Sequence, residues 1–332
     1  MTAKRYDVVG IGNAIVDIIG RCDDAFLARH GAPKGAMRLV EATTIDALYG
    51  AMGPAIEISG GSAANTMVGV ASLGGQAAFI GKVAGDEFGR IFAHDIKAAG
   101  VAFASAPEAG KVPTSRCLVL VTPDGERTMN TFLGISTALE LGDVDDSMIG
   151  AARILYLEGY LFDLPGAKAA FRQAAKIAAA AGCQVALSLS DGFCVERHRA
   201  DFVEFIGSSA NILFANESEI KALYETASFD DATRRSSRDV KLAVLTRGGQ
   251  GALIVAGDKT TRVAISPVAK VIDTTGAGDL FAAGVLHGIA RGLDHATAGS
   301  LGALAAAEII SHVGARPEQS LAALAKAKGL GV

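Results

Sequence analysis

The sequence has few cysteines, no excess of basic residues, no tryptophan and no long apolar run. Cys22, Cys117, Cys183 and Cys194 are scattered without a CxxC pair. That removes zinc-ribbon and dithiol redox chemistry and leaves incidental thiols of a reduced, cytoplasmic protein. Lys and Arg number 31 against 35 Asp and Glu, a net charge of −4, so no basic footprint marks a nucleic-acid partner. No uninterrupted apolar stretch is long enough to span a bilayer, which excludes a membrane helix. Lys4 and Arg5 precede an apolar run, but Asp7, Asn13 and Asp17 interrupt it and no small-residue cleavage site follows. It reads as a first strand, not a signal peptide. Glycine, by contrast, is abundant at 40 of 332 residues, and alanine is heavily used. Half the residues are hydrophobic and a fifth are charged. Tight βα turns and closely packed small-residue helices of an α/β protein would use such a composition.

The pattern along the chain agrees. Strand-like runs at Tyr6–Ile11, Gln76–Lys82, Ile154–Leu157, Gln184–Leu189, Ile212–Ala215 and Leu242–Thr246 alternate with helical segments. This predicts a parallel sheet covered on both faces, with ligands at the carboxyl ends of its strands. Thr114–Thr122 and Arg127–Leu133 flank Pro123-Asp124-Gly125 as a hairpin that breaks the alternation and reads as a small accessory sheet. We read residues 1–332 as a single catalytic α/β domain with lid insertions at about 15–45 and 105–135.

Two glycine-rich helix starts stand out. Asp273-Thr274-Thr275-Gly276-Ala277-Gly278-Asp279 follows an apolar run, Val268 to Ile272, that reads as a strand, and it opens a helix over Leu280 to Ala290. Such a turn aims backbone N–H groups and a helix dipole at an anion, and glycine lets a phosphate come close. Asp279, in the first helical turn, is placed to take a proton from an attacking hydroxyl. The second start is Ser59-Gly60-Gly61-Ser62-Ala63-Ala64-Asn65. As ordinary βα turns, both would also form with these residues. Gly10-x-Gly12 lacks the third glycine of a dinucleotide fingerprint, since Ile15 stands there. Asn13 and Asp17 read either as turn-capping groups or as ligands for a polyol in a cleft.

Together these pieces resemble the ribokinase-like (PfkB) family of sugar and nucleoside kinases, nearly end to end. Gly60 to Asn65, with Gly81-x-x-x-Gly85-Asp86-x-Phe88-Gly89 downstream, is similar to its first signature, and Asp273 to Asp279 to its second. The resemblance implies a three-layer α/β/α sandwich with a mostly parallel central sheet and a small β lid. It implies Asp279 as catalytic base and the Gly276, Ala277, Gly278 backbone as anion hole, with Arg127 a lid arginine near the phosphates. It implies ATP and Mg²⁺, the metal bound mostly through water by Asn216 and Glu219 of Asn216-Glu217-Ser218-Glu219. That stretch also reads as a capping box. Thr246, Gly248, Gly251 and Thr275 would bind ATP, and Asp273 would help to hold a monovalent cation such as K⁺ with the Gly314–Pro317 turn.

Gly12 to Ile18 (GNAIVDI), Ser188 to Phe193 (SLSDGF) and Phe214 to Glu219 (FANESE) are similar to segments of adenosine kinases. By that match Asn13, Asp17, Gly61, Ser62 and Asn65 face the substrate, and Tyr160 lies against a base. The resemblance implies phosphorylation of the 5′-hydroxyl of adenosine or a related ribonucleoside. A sugar kinase acting on ribose, fructose or a keto-deoxy sugar acid is the alternative, and a catalytically silent nucleoside-binding protein the next. The expected partners are a small nucleoside or sugar and ATP, in a monomer or homodimer.

Overall fold

The computed structural model describes residues 4–331. Among the described residues the strands run β1 (Tyr6–Ile11), β2 (Ile15–Arg21), β3 (Met37–Leu39), β4 (Ala55–Gly60), β5 (Ala77–Ile80), β6 (Val101–Phe103), β7 (Ser115–Val121) and β8 (Arg127–Phe132). The second half adds β9 (Ala152–Glu158), β10 (Gln184–Ser188), β11 (Ile212–Asn216), β12 (Leu242–Thr246), β13 (Ala252–Ala256) and β14 (Lys259–Val263). Nine of them form one sheet in the order β14-β13-β12-β11-β10-β9-β1-β5-β6. From β12 to β6 every pairing is parallel, and β13 and β14 add an antiparallel edge.

Both faces of this sheet are covered, so β1 is buried along its whole length. Val9 and Ile11 point into one core with the Pro165–Ala180 and Gly192–Ser208 helices. Val8 points into the other, with the Ser62–Ser72 and Ala277–Ala290 helices. The ribokinase-like three-layer architecture is therefore present. The remaining strands form a second sheet, β3-β8-β7-β2-β4. Its β7–β8 hairpin and β3 stand where the sequence puts them; it also takes in β4, beyond the expected insertion boundary near residue 45.

One reading of secondary structure is corrected. Val268 to Ile272 is not a strand: Val271 and Ile272 are exposed, and the Ile272 N–H donates to the Ile310 carbonyl at 2.8 Å. The apolar run lies along the end of a helix rather than in a sheet, so position overrides propensity. The helix from Gly192 to Ser208 has His198 at non-helical φ −123°. Phe229–Asp239 is a helix of mostly polar sequence that buries only the narrow stripe of Phe229, Ala232 and Ser236.

The Ala277–Ala290 helix carries the anion turn, and its position depends on close packing. Gly284 lies directly on the backbone of Leu301 and Gly302 in the His295–Ile309 helix, and Gly288 lies on Ala298. A methyl group at Gly284 would overlap that backbone, which cannot move like a flexible side chain. Gly284→Ala is expected to lower stability by about 1–3 kcal/mol in urea unfolding. Helix propensity alone would give a gain of up to about 1 kcal/mol. A stabilised variant would show that the two helices do not meet as described.

Candidate active site

Two helix starts meet here. Gly61, at φ 98°, caps the Ser62–Ser72 helix, and Gly276, at φ 76°, caps the Ala277–Ala290 helix. Only glycine takes these angles without strain. A Cβ at Gly61 would strike the Asn13 carbonyl, and one at Gly276 would press on Ala315. Gly278, by contrast, has open space where a Cβ would stand, and the Ala277 N–H donates to the Thr274 carbonyl at 3.2 Å.

Where the helices converge, Ser62 Oγ donates to Asp279 Oδ1 at 2.6 Å and Asn65 Nδ2 donates to Oδ2 at 3.0 Å. Burial raises the pKa of the Asp279 carboxyl, while these two hydrogen bonds and the Arg316 charge pull it down. The other end of the Asn65 amide, Oδ1, is buried without a partner. A hydroxyl donor from a ligand would satisfy it.

Asp17 approaches from β2 of the small sheet. Burial pushes its carboxyl up to about 6, against the charges of Arg316 and Arg127. Gly60 beneath it leaves room only because it has no Cβ. Arg127, at the start of β8, forms an ion pair with Asp273 and donates to Thr275 Oγ1. The small sheet is thus tied to the anion turn. Asp273 also accepts from the Thr275 and Gly314 N–H groups at 2.8 and 2.9 Å, so its carboxylate is engaged by protein donors.

Asn13 lies inside the wall of the site. Its Nδ2 donates to Glu158 Oε1 at 2.7 Å and its Oδ1 accepts from Ser136 Oγ at 2.8 Å. Glu158, at the end of β9, also accepts from the Ala63 N–H at 2.8 Å. It is fully buried and pushed up to about 7 by burial. The sequence reading missed Glu158; the available signal was an acidic residue closing the apolar run Ala152–Glu158. Tyr160, just beyond, is half-buried and donates to the Ser190 carbonyl at 3.3 Å.

A cleft of about 470 Å³ opens at the ends of β11 and β12, lined by Asn216, Glu217, Ser218, Lys221, Thr246, Arg247 and Gly248. Asn216 and Glu219 form the reciprocal capping box: Asn216 Oδ1 accepts from the Glu219 N–H, and Glu219 Oε2 from the Asn216 N–H, each at 2.9 Å. The Asn216 Nδ2 reaches Glu219 Oε1 at 2.5 Å. Glu219 is buried and pushed up to about 7, chiefly by burial and with Asp191 and Asp279 adding to it. Among the described residues it has no cationic partner, so a hydrated divalent cation beyond the box fits the charge. No cluster of three or more His, Cys, Asp or Glu side chains suited to a metal is found among the described residues. Gly248 and Gly251 both hold positive φ, and Gly251 packs against the Val263 carbonyl. Among the described residues, no helix is long and apolar enough to cross a membrane.

A glycine-capped helix start with a half-buried carboxylate in its first turn, beside a small second sheet, is the arrangement expected of a phosphotransferase site, and it stands on a ribokinase-like fold. The chain belongs to the pfkB family of carbohydrate kinases, whose family model matches residues 57–321. It is similar to the structure of adenosine kinase from Sinorhizobium meliloti, with 51% identity and a TM-score of 0.90 over 98% of this chain and 99% of that one. A probable sugar kinase from Rhizobium etli gives 46% identity and a TM-score of 0.91 over 99% and 100%. Adenosine kinase of Saccharomyces cerevisiae is 26% identical over 330 residues, covering 92% of this chain and 95% of that protein.

Glu158 carries a pH signature. Its ordinary value is 4.5, and the fold raises it to about 7. Between these values the folded chain holds a proton that the unfolded chain has released, so this contribution to stability is lost as pH rises through the window. Glu158→Gln is expected to flatten the fall in stability between about pH 4.5 and 7, read by chemical denaturation across pH. An unchanged slope would show that Glu158 titrates normally.

Proposed function

We propose that this kinase transfers the γ-phosphoryl group of ATP to the 5′-hydroxyl of adenosine or a closely related ribonucleoside. The observation that carries the reading is the Asp279 carboxylate, hydrogen-bonded by Ser62 and Asn65 at the mouth of the Gly276–Gly278 turn. Asp279 takes the hydroxyl proton as the oxygen bonds to the γ-phosphorus and ADP leaves. The N–H groups of the turn and the helix dipole meet the negative charge on the transferring group. Asp17 accepts from vicinal ribose hydroxyls and Asn65 Oδ1 from a further one.

Asn13 acts from behind, held by Glu158 and Ser136 so that the Gly61 turn keeps its shape. Tyr160 borders the base. ATP lies along the Asn216–Gly248 cleft, with Thr246, Gly248, Gly251 and Thr275 on its path. Asn216 and Glu219 would hold Mg²⁺ through waters, and the ion neutralises phosphate charge when bound. Asp273, already engaged, would serve a K⁺ site through its backbone and the adjoining turn. Arg127 stands beside the anion turn, within reach of an incoming phosphate.

The nucleoside reading is supported by the 51% identity to an adenosine kinase across the full chain. A sugar acceptor is the second reading, favoured by the 46% identity to a probable sugar kinase. ADP release with adenosine, guanosine, inosine, ribose and fructose, offered in parallel, separates them. We expect turnover with adenosine. Turnover with free sugars alone would overturn the nucleoside assignment, and thermal shifts without turnover would favour a binding protein. Asp279→Asn is expected to lower kcat by about 10²–10⁴ with little change in ligand affinity. Near-normal turnover would remove Asp279 as the base.

A further inference from the structure

Arg316 lies in the Gly314-Ala315-Arg316-Pro317 turn, and its guanidinium brackets the acceptor loop. Nε donates to the Ser59 carbonyl at 2.7 Å, and one terminal nitrogen donates to the same carbonyl and to Ser59 Oγ, the latter at 2.8 Å. The other terminal nitrogen donates to the Ala64 carbonyl at 3.0 Å. One planar cation therefore pins both ends of Ser59–Ala64, the segment that presents Ser62 to Asp279. Ser59 is held from its other side by Asp95 Oδ2, which accepts from its N–H at 2.8 Å and its hydroxyl at 2.5 Å.

The same turn grips the anion loop. Ala315 packs under Gly276, and the Gly314 N–H donates to Asp273. Arg316 is thus attached to both glycine-rich motifs. We propose that Arg316 is a positioning residue for phosphoryl transfer, clamping the acceptor loop against the anion turn and setting a fixed positive charge beside the base. The proposal rests on the kinase reading above.

The charges around Asp279 give this cation its importance. Asp17 faces it from β2, Tyr156 and Glu158 from β9, Tyr160 from the turn that follows, and Glu219 from its own helix. Arg127 acts on Asp17 from β8, but its guanidinium is paired with Asp273. Arg316 lowers the pKa of both Asp17 and Asp279. Its own is reduced by burial to about 10, so it stays protonated at neutral pH.

The test compares Arg316→Met and Arg316→Lys in the full chain. The readout is the pH dependence of kcat and kcat/KM for whichever acceptor the wild type phosphorylates. Arg316→Met removes the charge and the clamp. We expect its acid limb to move up by about half a pH unit or more, and kcat to fall about ten- to a hundredfold. Arg316→Lys keeps the charge, but one ammonium cannot bridge Ser59 and Ala64 as the guanidinium fork does. Its acid limb should stay in place while kcat still falls.

A melting temperature lowered in both variants, with kcat and the limb unmoved, would overturn the proposal. A separate readout is the carboxyl ¹³C titration of aspartate-labelled protein, with the Asp279 signal assigned through Asp279→Asn. Its midpoint should rise in Arg316→Met, and an unmoved midpoint overturns the proposal even if no acceptor is phosphorylated. Absence of turnover with every acceptor, together with a raised midpoint, would instead sink the kinase reading and leave the placement of Arg316 standing. If Arg316→Met does not fold, the kcat loss at constant limb in Arg316→Lys decides.

Discussion

The hydrogen bond from Ser62 to Asp279 joins two helix starts that lie 217 residues apart, and the site is built on their meeting. Each start contributes the positive end of a helix dipole, and at the first the Ala63 N–H is taken by Glu158. Each begins at a glycine whose φ excludes other residues without strain. The helices can come this close because Gly69 of one sits against Leu280 and Ala283 of the other. The abundance of glycine and alanine, first visible as composition, is the physical condition for this convergence. A bulky residue at Gly69 would separate groups that must lie within hydrogen-bond reach.

A second constraint is electrostatic. Asp17, Glu158, Glu219 and Asp279 all have their carboxyl groups pushed up, and desolvation leads in every case. Desolvated acids gathered about Asp279 favour ligands that bring hydroxyl donors and cations. A polyol acceptor and a metal-bound nucleotide have that chemistry. An acceptor carrying its own carboxylate would meet Asp17 and Asp279 as like charges, while both nearby arginines are engaged elsewhere. A sugar acid is therefore disfavoured more than a neutral sugar, and the base end of the site is what distinguishes a nucleoside from a neutral sugar.

Much of this was legible in the sequence, for a reason that particular residues show. Gly61, Gly276, Ser62, Asn65 and Asp279 stand in contiguous motifs, where turn geometry and anion binding require residue types at fixed spacing. The β7–β8 hairpin was legible from its turn. Glu158 and Arg316 were not, because their roles arise from the tertiary partners Asn13, Ala63, Ser59 and Ala64, remote in sequence. Asn13 could be read as facing a ligand or the protein; its two amide ends are both taken by protein groups. Val268 to Ile272 misled for the converse reason: an apolar run carries strand propensity but no information on whether a sheet edge is near.

The two arginines also decide how the small sheet is attached. Arg127 joins β8 to the anion turn through Asp273 and Thr275. Arg316, with Asp95, holds the Ser59 end of β4 from two sides. These attachments lie toward opposite edges of the sheet, since its order is β3-β8-β7-β2-β4. They differ in kind. The β4 attachment runs through backbone and hydroxyl groups buried beside the acceptor loop, and breaking it would leave a buried guanidinium unpaired. The β8 attachment is a buried ion pair beside the Gly276 turn, and losing it would leave the Asp273 carboxylate held only by the Thr275 and Gly314 N–H groups. The small sheet is thus held to the Ser59–Ala64 segment through β4 and to the Asp273–Asp279 turn through β8, so both glycine-rich motifs keep their place relative to Asp17 on β2 between them.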